Sequence, residues 1–185
     1  MEELPKRKQL RLSCYDYSSN GAYFITICTH NRAELFLNTI RNDVGATLCG
    51  RPNNPDKMIE KWLLEIENKF LETKIDYYCI MPNHIHFILF FESKTGDHTG
   101  SPLQDVISWF KTMVTNEYIK GVKKGLYIPF DTKLWQRGYY EHIIRTEKDL
   151  FETRSYIENN PIKWETDEYY NKERVYDHRG KRNKT

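Results

Sequence analysis

The chain has no CxxC pair, no internal repeat, no apolar run of membrane length and no strong excess of either charge. Each absence closes a class of function. The four cysteines, Cys14, Cys28, Cys49 and Cys79, lack the paired spacing of a structural zinc site. Two of them fall inside apolar runs, so all read as reduced thiols. The N-terminal stretch is basic but has no apolar h-region, and no segment could span a bilayer. A cytoplasmic protein with no membrane partner is therefore expected. A formal net charge of only +2 creates no global field that would announce a polyanion.

What is present fits one globular domain. The 185 residues are enough to bury a core, and 39% are hydrophobic. Tyrosine is abundant at 13, with 4 tryptophans, a supply of flat rings for a core or for stacking on bases. Positive charge is clustered although its sum is small: Lys6, Arg7, Lys8 and Arg11; then Lys120, Lys123 and Lys124; then Arg179, Lys181, Arg182 and Lys184. Three separate basic clusters lean toward nucleic acid. The chain divides into a basic N-terminal arm (1–21), a folded domain (22–165) and a basic C-terminal tail (166–185).

Within the domain, Ala22 to Thr29 reads as a largely buried strand, with a possible short strand at Glu34–Leu37 before a Gly/Asn/Pro-rich loop. Asp56 suits an N-cap, and Ile59, Trp62, Leu63, Ile66 and Phe70 form a helical stripe over about 57–71. Strands at 75–81 and 84–91 flank Pro82-Asn83, a tight hairpin. Ser101-Pro102-Leu103-Gln104 has the form of a capping box opening a helix to about Lys120, and Gly121 to Lys133 reads as loop. A strand at 139–145 follows, then a helix capped by Thr146 and stopped before Pro161, then a short helical piece near 165–170. The order β, α, β, β, α, β, α predicts an α+β, ferredoxin-like fold: an antiparallel sheet with helices packed mainly on one face.

The densest chemistry lies in Met81-Pro82-Asn83-His84-Ile85-His86-Phe87. A strand turns positions i and i+2 to one face, so His84 and His86 would present two imidazoles side by side. Two ligands suit one metal ion; two inert strand histidines fit the same pattern. Tyr156 and Asn160 stand four residues apart on one helical face. Tyrosine can be a nucleophile, and asparagine offers a neutral oxygen ligand. Two imidazoles and a carbonyl oxygen suit Mn²⁺ or Mg²⁺. A packed or surface tyrosine is the plain alternative for Tyr156.

Five segments taken together resemble the single-tyrosine HUH transposase family, and most of all its REP-associated tyrosine transposase branch. They are Gly21–Thr29, Tyr78–His86, Ser108-Trp109-Phe110-Lys111, Leu134–Arg145 and Tyr156-Ile157-Glu158-Asn159-Asn160-Pro161, in the family's order across residues 10 to 165. The resemblance implies a ferredoxin-like endonuclease on single-stranded DNA. His84 and His86 would be metal ligands, Asn160 the third ligand and Tyr156 the nucleophile. Attack would leave a 5′-phosphotyrosine and a free 3′-OH, a link that conserves phosphoester energy for strand transfer. Glu141 and His142 lie within the matched segments, but neighbours in a strand face opposite sides, so at most one can point at the metal.

The resemblance also implies a hairpin-forming palindrome as partner. Arg7, Arg11 and Tyr15 of the arm would read a short single-stranded tag, while Lys111, Lys120, Lys123 and Lys124 could meet phosphates. A monomer, with Tyr156 serving its own histidines, is favoured over a homodimer. Two other functions stay open: a domesticated protein that binds hairpin DNA without cutting it, and a metal-dependent nuclease that uses water instead of tyrosine.

Overall fold

A computed structural model describes residues 21–36, 55–91 and 102–170. It contains four strands, β1 (Gly21–Cys28), β2 (Thr73–Met81), β3 (His84–Phe91) and β4 (Tyr140–Ile144), and three helices, α1 (Pro55–Lys69), α2 (Pro102–Lys123) and α3 (Glu147–Asn159). All three strand pairings are antiparallel, in the spatial order β2-β3-β1-β4. This is the expected α+β arrangement, with both inner strands largely buried on both faces.

Side-chain alternation sorts the sheet into two layers. Tyr23, Ile25 and Ile27 of β1 and Ile85, Phe87 and Leu89 of β3 join Ile59, Leu63, Val106 and Phe110 in the main core, under α1 and α2. The alternate positions face the other way. There Ala22, Met81 and Ile88 meet Ile157 of α3 and Trp164 in a smaller cluster. Two of the three helices share a face, and α3 covers the other. That second face is the one to which His84 and His86 belong.

Element boundaries moved for identifiable reasons. Helix α1 opens at Pro55, so Asp56 lies in its first turn instead of capping it. Proline is well suited to a first helical position and an acid to the turn after it. Helix α2 continues through Gly121 to Lys123. A Cβ at Gly121 would lie 2.1 Å from Cδ2 of Tyr127, so glycine serves here to admit a ring against the helix. The stop comes at Gly125, whose φ of +71° suits a helix terminator.

Strand β4 is shorter than expected. Residues 34–36 form no strand but lie buried, with Phe36 N donating to Pro82 O. Pro161–Thr166 is a 3₁₀ helix, earlier in the chain than the helical piece expected there. Ser101, Leu37 and most of the Gly/Asn/Pro-rich loop lie outside the described residues. Among the described residues no helix is long and apolar enough to cross a membrane.

Candidate active site

The β2–β3 turn is two residues long, with Met81 paired to His84 across it. It places both histidines in the inner strand β3, where Cys28 is opposite His84 and Thr26 opposite His86. Their Nε2 atoms are 2.9 Å apart. Two nitrogens about 2.1 Å from one ion would be about 3.0 Å apart at a right angle and about 3.4 Å apart at a tetrahedral one. The observed spacing fits the right angle.

The hydrogen bonds fix which nitrogen of His84 is free. Asn83 Nδ2 donates to Tyr169 O at 2.8 Å and lies 3.4 Å from Arg32 O, so Asn83 Oδ1 is the acceptor for His84 Nδ1 at 2.7 Å. The proton of neutral His84 therefore sits on Nδ1, and Nε2 carries a lone pair. His86 Nδ1 meets Thr26 Oγ1 at 2.8 Å. With that hydroxyl accepting, a second lone pair converges on the first, an arrangement that a cation relieves. Burial keeps both rings neutral. It lowers the pKa of His84 to about 2, aided by His86 and Arg32, and that of His86 to about 3. Neutral imidazole is the form that binds metal.

Helix α3 supplies the other half. Thr146 Oγ1 accepts from Asp149 N and caps the helix, as its sequence predicts. Ile157 anchors α3 in the second cluster, and Arg154 makes a bidentate pair with Asp76 of β2, at 2.7 and 3.0 Å. A register irregularity between Ile75 and Tyr78 interrupts β2 at that point. So held, α3 brings Tyr156 to the histidines: its ring centroid is 5.3 Å from that of His86 and 5.8 Å from that of Phe24. Phe24 also stacks on His86 at 5.2 Å. Tyr156 is 43% exposed and opens onto a cleft of about 570 Å³ lined by Thr26, Tyr140, His142 and Tyr169 among others. Burial, together with Asp167, raises its pKa, and a hydrogen bond from Asn160 works the other way. A tyrosine so placed needs a nearby cation to ionise readily.

Asn160 follows one turn later and is only 3% exposed. Its amide hydrogen-bonds both Tyr156 and Asp167, while its Oδ1 is buried with no hydrogen-bond partner. An orphaned carbonyl oxygen in a buried site costs free energy that a cation can return. Two neutral imidazoles, this oxygen and nearby Asp167 make a donor set that fits a hard divalent ion. Ligand atoms of His84, His86 and Asp167 all lie within 4.8 Å of one another.

The remaining candidates scatter. Lys111 is turned inward: its Nζ donates to Gln136 O at 3.0 Å and Gly138 O at 2.7 Å, and burial lowers its pKa to about 8. It pins the loop before β4, which occupies it otherwise than by meeting a phosphate. Lys120, Lys123 and Lys124 are exposed at the end of α2, on the side of the sheet away from the histidines. Arg7, Arg11 and Tyr15 lie outside the described residues. His142 faces the cleft and pairs with Asp149 at 3.0 Å, whereas Glu141 alternates to the other face beside Ile143. The sequence reading overlooked Phe24, Thr26, Asn83, Asp167 and Tyr169. Thr26 and Phe24 could have been found from parity, since they share a strand face once β1 is laid beside β3. Asp167 and Tyr169 carry no local signal.

Known proteins resemble this chain in sequence and in fold. The sequence model of the family described as "Transposase IS200 like" matches residues 17–160. An uncharacterised protein of Haemophilus influenzae is 34% identical over 180 residues, covering 89% of this chain and 93% of its own. A candidate REP-associated tyrosine transposase of the same organism is 26% identical over 151 residues, covering 80% and 74%. A solved REP-associated tyrosine transposase bound to a REP hairpin superposes with a TM-score of 0.53 at 19% identity, covering 89% of this chain and 74% of that one. The last likeness is one of fold.

Proposed function

The chain belongs to the IS200-like transposase family, and from that premise we propose that it cuts and rejoins single-stranded DNA beside hairpin-forming palindromes. The observation that carries the proposal is the convergence of side chains from distant positions: His84 and His86 of β3 beside Tyr156 of α3, with Asn160 hydrogen-bonded to Tyr156 and to the Asp167 carboxylate near the histidines. A packing role alone gives no reason for an orphaned oxygen on Asn160, whose amide bonds Tyr156 and Asp167.

His84, His86 and Asn160 would hold Mg²⁺ or Mn²⁺, an ion that supplies positive charge at a scissile phosphate. Asn83 and Thr26 orient the two imidazoles from behind. Phe24 packs against both His86 and Tyr156, the three rings forming a triangle that keeps water from that side. Tyr156 Oη attacks phosphorus and forms a phosphotyrosine at the 5′ side, while the P–O3′ bond breaks. The departing 3′ oxygen takes up a proton, and the phenol has given one up. A 3′-OH from another strand reverses the step, so rejoining needs no ATP. Tyr156 lies beside His86 of its own chain, which supports a monomer. The basic arm, with Arg7, Arg11 and Tyr15, and the lysines that end α2 are proposed to hold the hairpin by its phosphates.

Labelled single-stranded palindromic DNA incubated with the protein and Mn²⁺ tests this. A covalent adduct that survives denaturing electrophoresis is expected, and it should vanish in Tyr156→Phe and on chelation. DNA binding without an adduct would point to a binding-only protein. Cleavage that persists in Tyr156→Phe would mean that water is the nucleophile.

A further inference from the structure

Asp167 is not part of the ligand set inferred from the sequence, yet its carboxylate comes within 4.8 Å of a ring nitrogen of both His84 and His86. It arrives there by construction. The 3₁₀ helix Pro161–Thr166 turns the chain back after α3, Trp164 anchors it in the second core, and Asp167 N donates to Trp164 O. The segment then crosses the site. Asn83 Nδ2 holds Tyr169 O at 2.8 Å and Arg32 Nη1 holds Glu168 O at 3.0 Å. The Tyr169 ring centre lies 4.6 Å from that of His84, and the Arg32 guanidinium lies 4.9 Å from the centre of the Tyr169 ring.

Asn83 therefore does two things with one amide. Its oxygen sets the His84 tautomer, and its nitrogen delivers the strand of chain that carries Asp167. The carboxylate is itself oriented, accepting from Tyr169 N at 2.6 Å and from the Asn160 amide. The buried Oδ1 of Asn160, without a hydrogen-bond partner, independently points to an ion in this place.

We propose that Asp167 is a direct and lasting ligand of the ion held by His84 and His86, so that one carboxylate joins the two imidazoles and the Asn160 oxygen around it. This rests on the reading that the histidine pair binds a divalent metal. Carboxylate oxygen suits Mg²⁺ and Mn²⁺ better than the softer ions that imidazole alone would accept.

Mn²⁺ binding to the full chain, without DNA, measured by calorimetry and by the loss of the free-ion EPR signal, tests the assignment. Removing partners that merely support a ligand costs about 10–100-fold in metal affinity, so Asp167→Asn should weaken binding at least about ten-fold. Glu168→Gln changes the same net charge on the adjacent residue and should stay within about two-fold, as a screened surface charge does. Apo-protein melts confirm that each variant is folded, and Asp167→Ala repeats the test should the asparagine itself ligate. Wild-type affinity in both Asp167 variants overturns the assignment. So does an equal loss in Glu168→Gln, which would mean a field effect, or a rise in adduct yield in Asp167→Ala, which would mean that the carboxylate competes with substrate. If His84→Ala also leaves Mn²⁺ affinity unchanged, the metal reading itself has failed, and not only the role of Asp167.

Discussion

At the scale of single residues, the site depends on groups that touch no substrate. Thr26 hydrogen-bonds His86 Nδ1 and Asn83 hydrogen-bonds His84 Nδ1, so each decides which ring nitrogen is left to face an ion. Thr26→Val keeps the shape and removes the hydroxyl; Mn²⁺ affinity should fall by about 10–100-fold with little change in the apo-protein melt. Calorimetry against the wild type measures it. The histidines also set a pH dependence. Their folded-state values, about 2 and about 3, lie below the ordinary 6.5, so between those limits the unfolded chain binds more protons. Metal-free protein should therefore hold its full stability above about pH 6.5 and lose it as the pH falls toward 3. Melting temperatures across that range should show the slope in the wild type and little of it in a His84→Gln, His86→Gln double variant.

At the scale of elements, α3 matters more than its length suggests. Helices α1 and α2 cover the main core, whereas α3 rests on a small cluster and on the Arg154–Asp76 pair. That pair is partly exposed, and its loss in Arg154→Ala should cost at most about 1 kcal/mol of stability. Covalent adduct formation should drop further than that figure implies, because Tyr156 lies half a turn beyond Arg154. Adduct yield compared with the denaturation midpoint separates the two effects. Ile157→Ala, which empties a buried position of the same helix, should cost about 2–5 kcal/mol. The hairpin is the other decisive element. Its two-residue turn and the alternation of β3 were readable from Pro82-Asn83 and the His-Ile-His pattern, and the Thr146 cap of α3 was equally plain. The end of α2 was not. Glycine at 121 argues for a break, and only the Tyr127 ring packed against it explains why the helix goes on.

At the scale of the molecule, the sheet acts as a partition. One face is closed by a large apolar core, and the other carries the cleft, the histidines and a thinner covering of α3 and the 3₁₀ helix. A covering held by fewer buried side chains opens more readily. Hydrogen exchange should thus find the amides of α3 less protected than those in the middle of α2, and bound Mn²⁺ should narrow the gap. Equal protection in the absence of metal would count against a site that is looser than its scaffold.

The sequence by itself determined the strand and helix order, the pairing of His84 with His86 and the shared helical face of Tyr156 and Asn160. All of these follow from periods of two and of about four along the chain, which local geometry enforces. Tertiary structure alone decided that α3 covers the face opposite α1 and α2, that Lys111 bonds loop carbonyls, and that Asp167 and Tyr169 return to the histidines. Those facts depend on contacts between residues up to 136 positions apart, such as Arg32 with Glu168. No local period encodes a partner at that distance; packing of the second core, through Ile157 and Trp164, puts it in place.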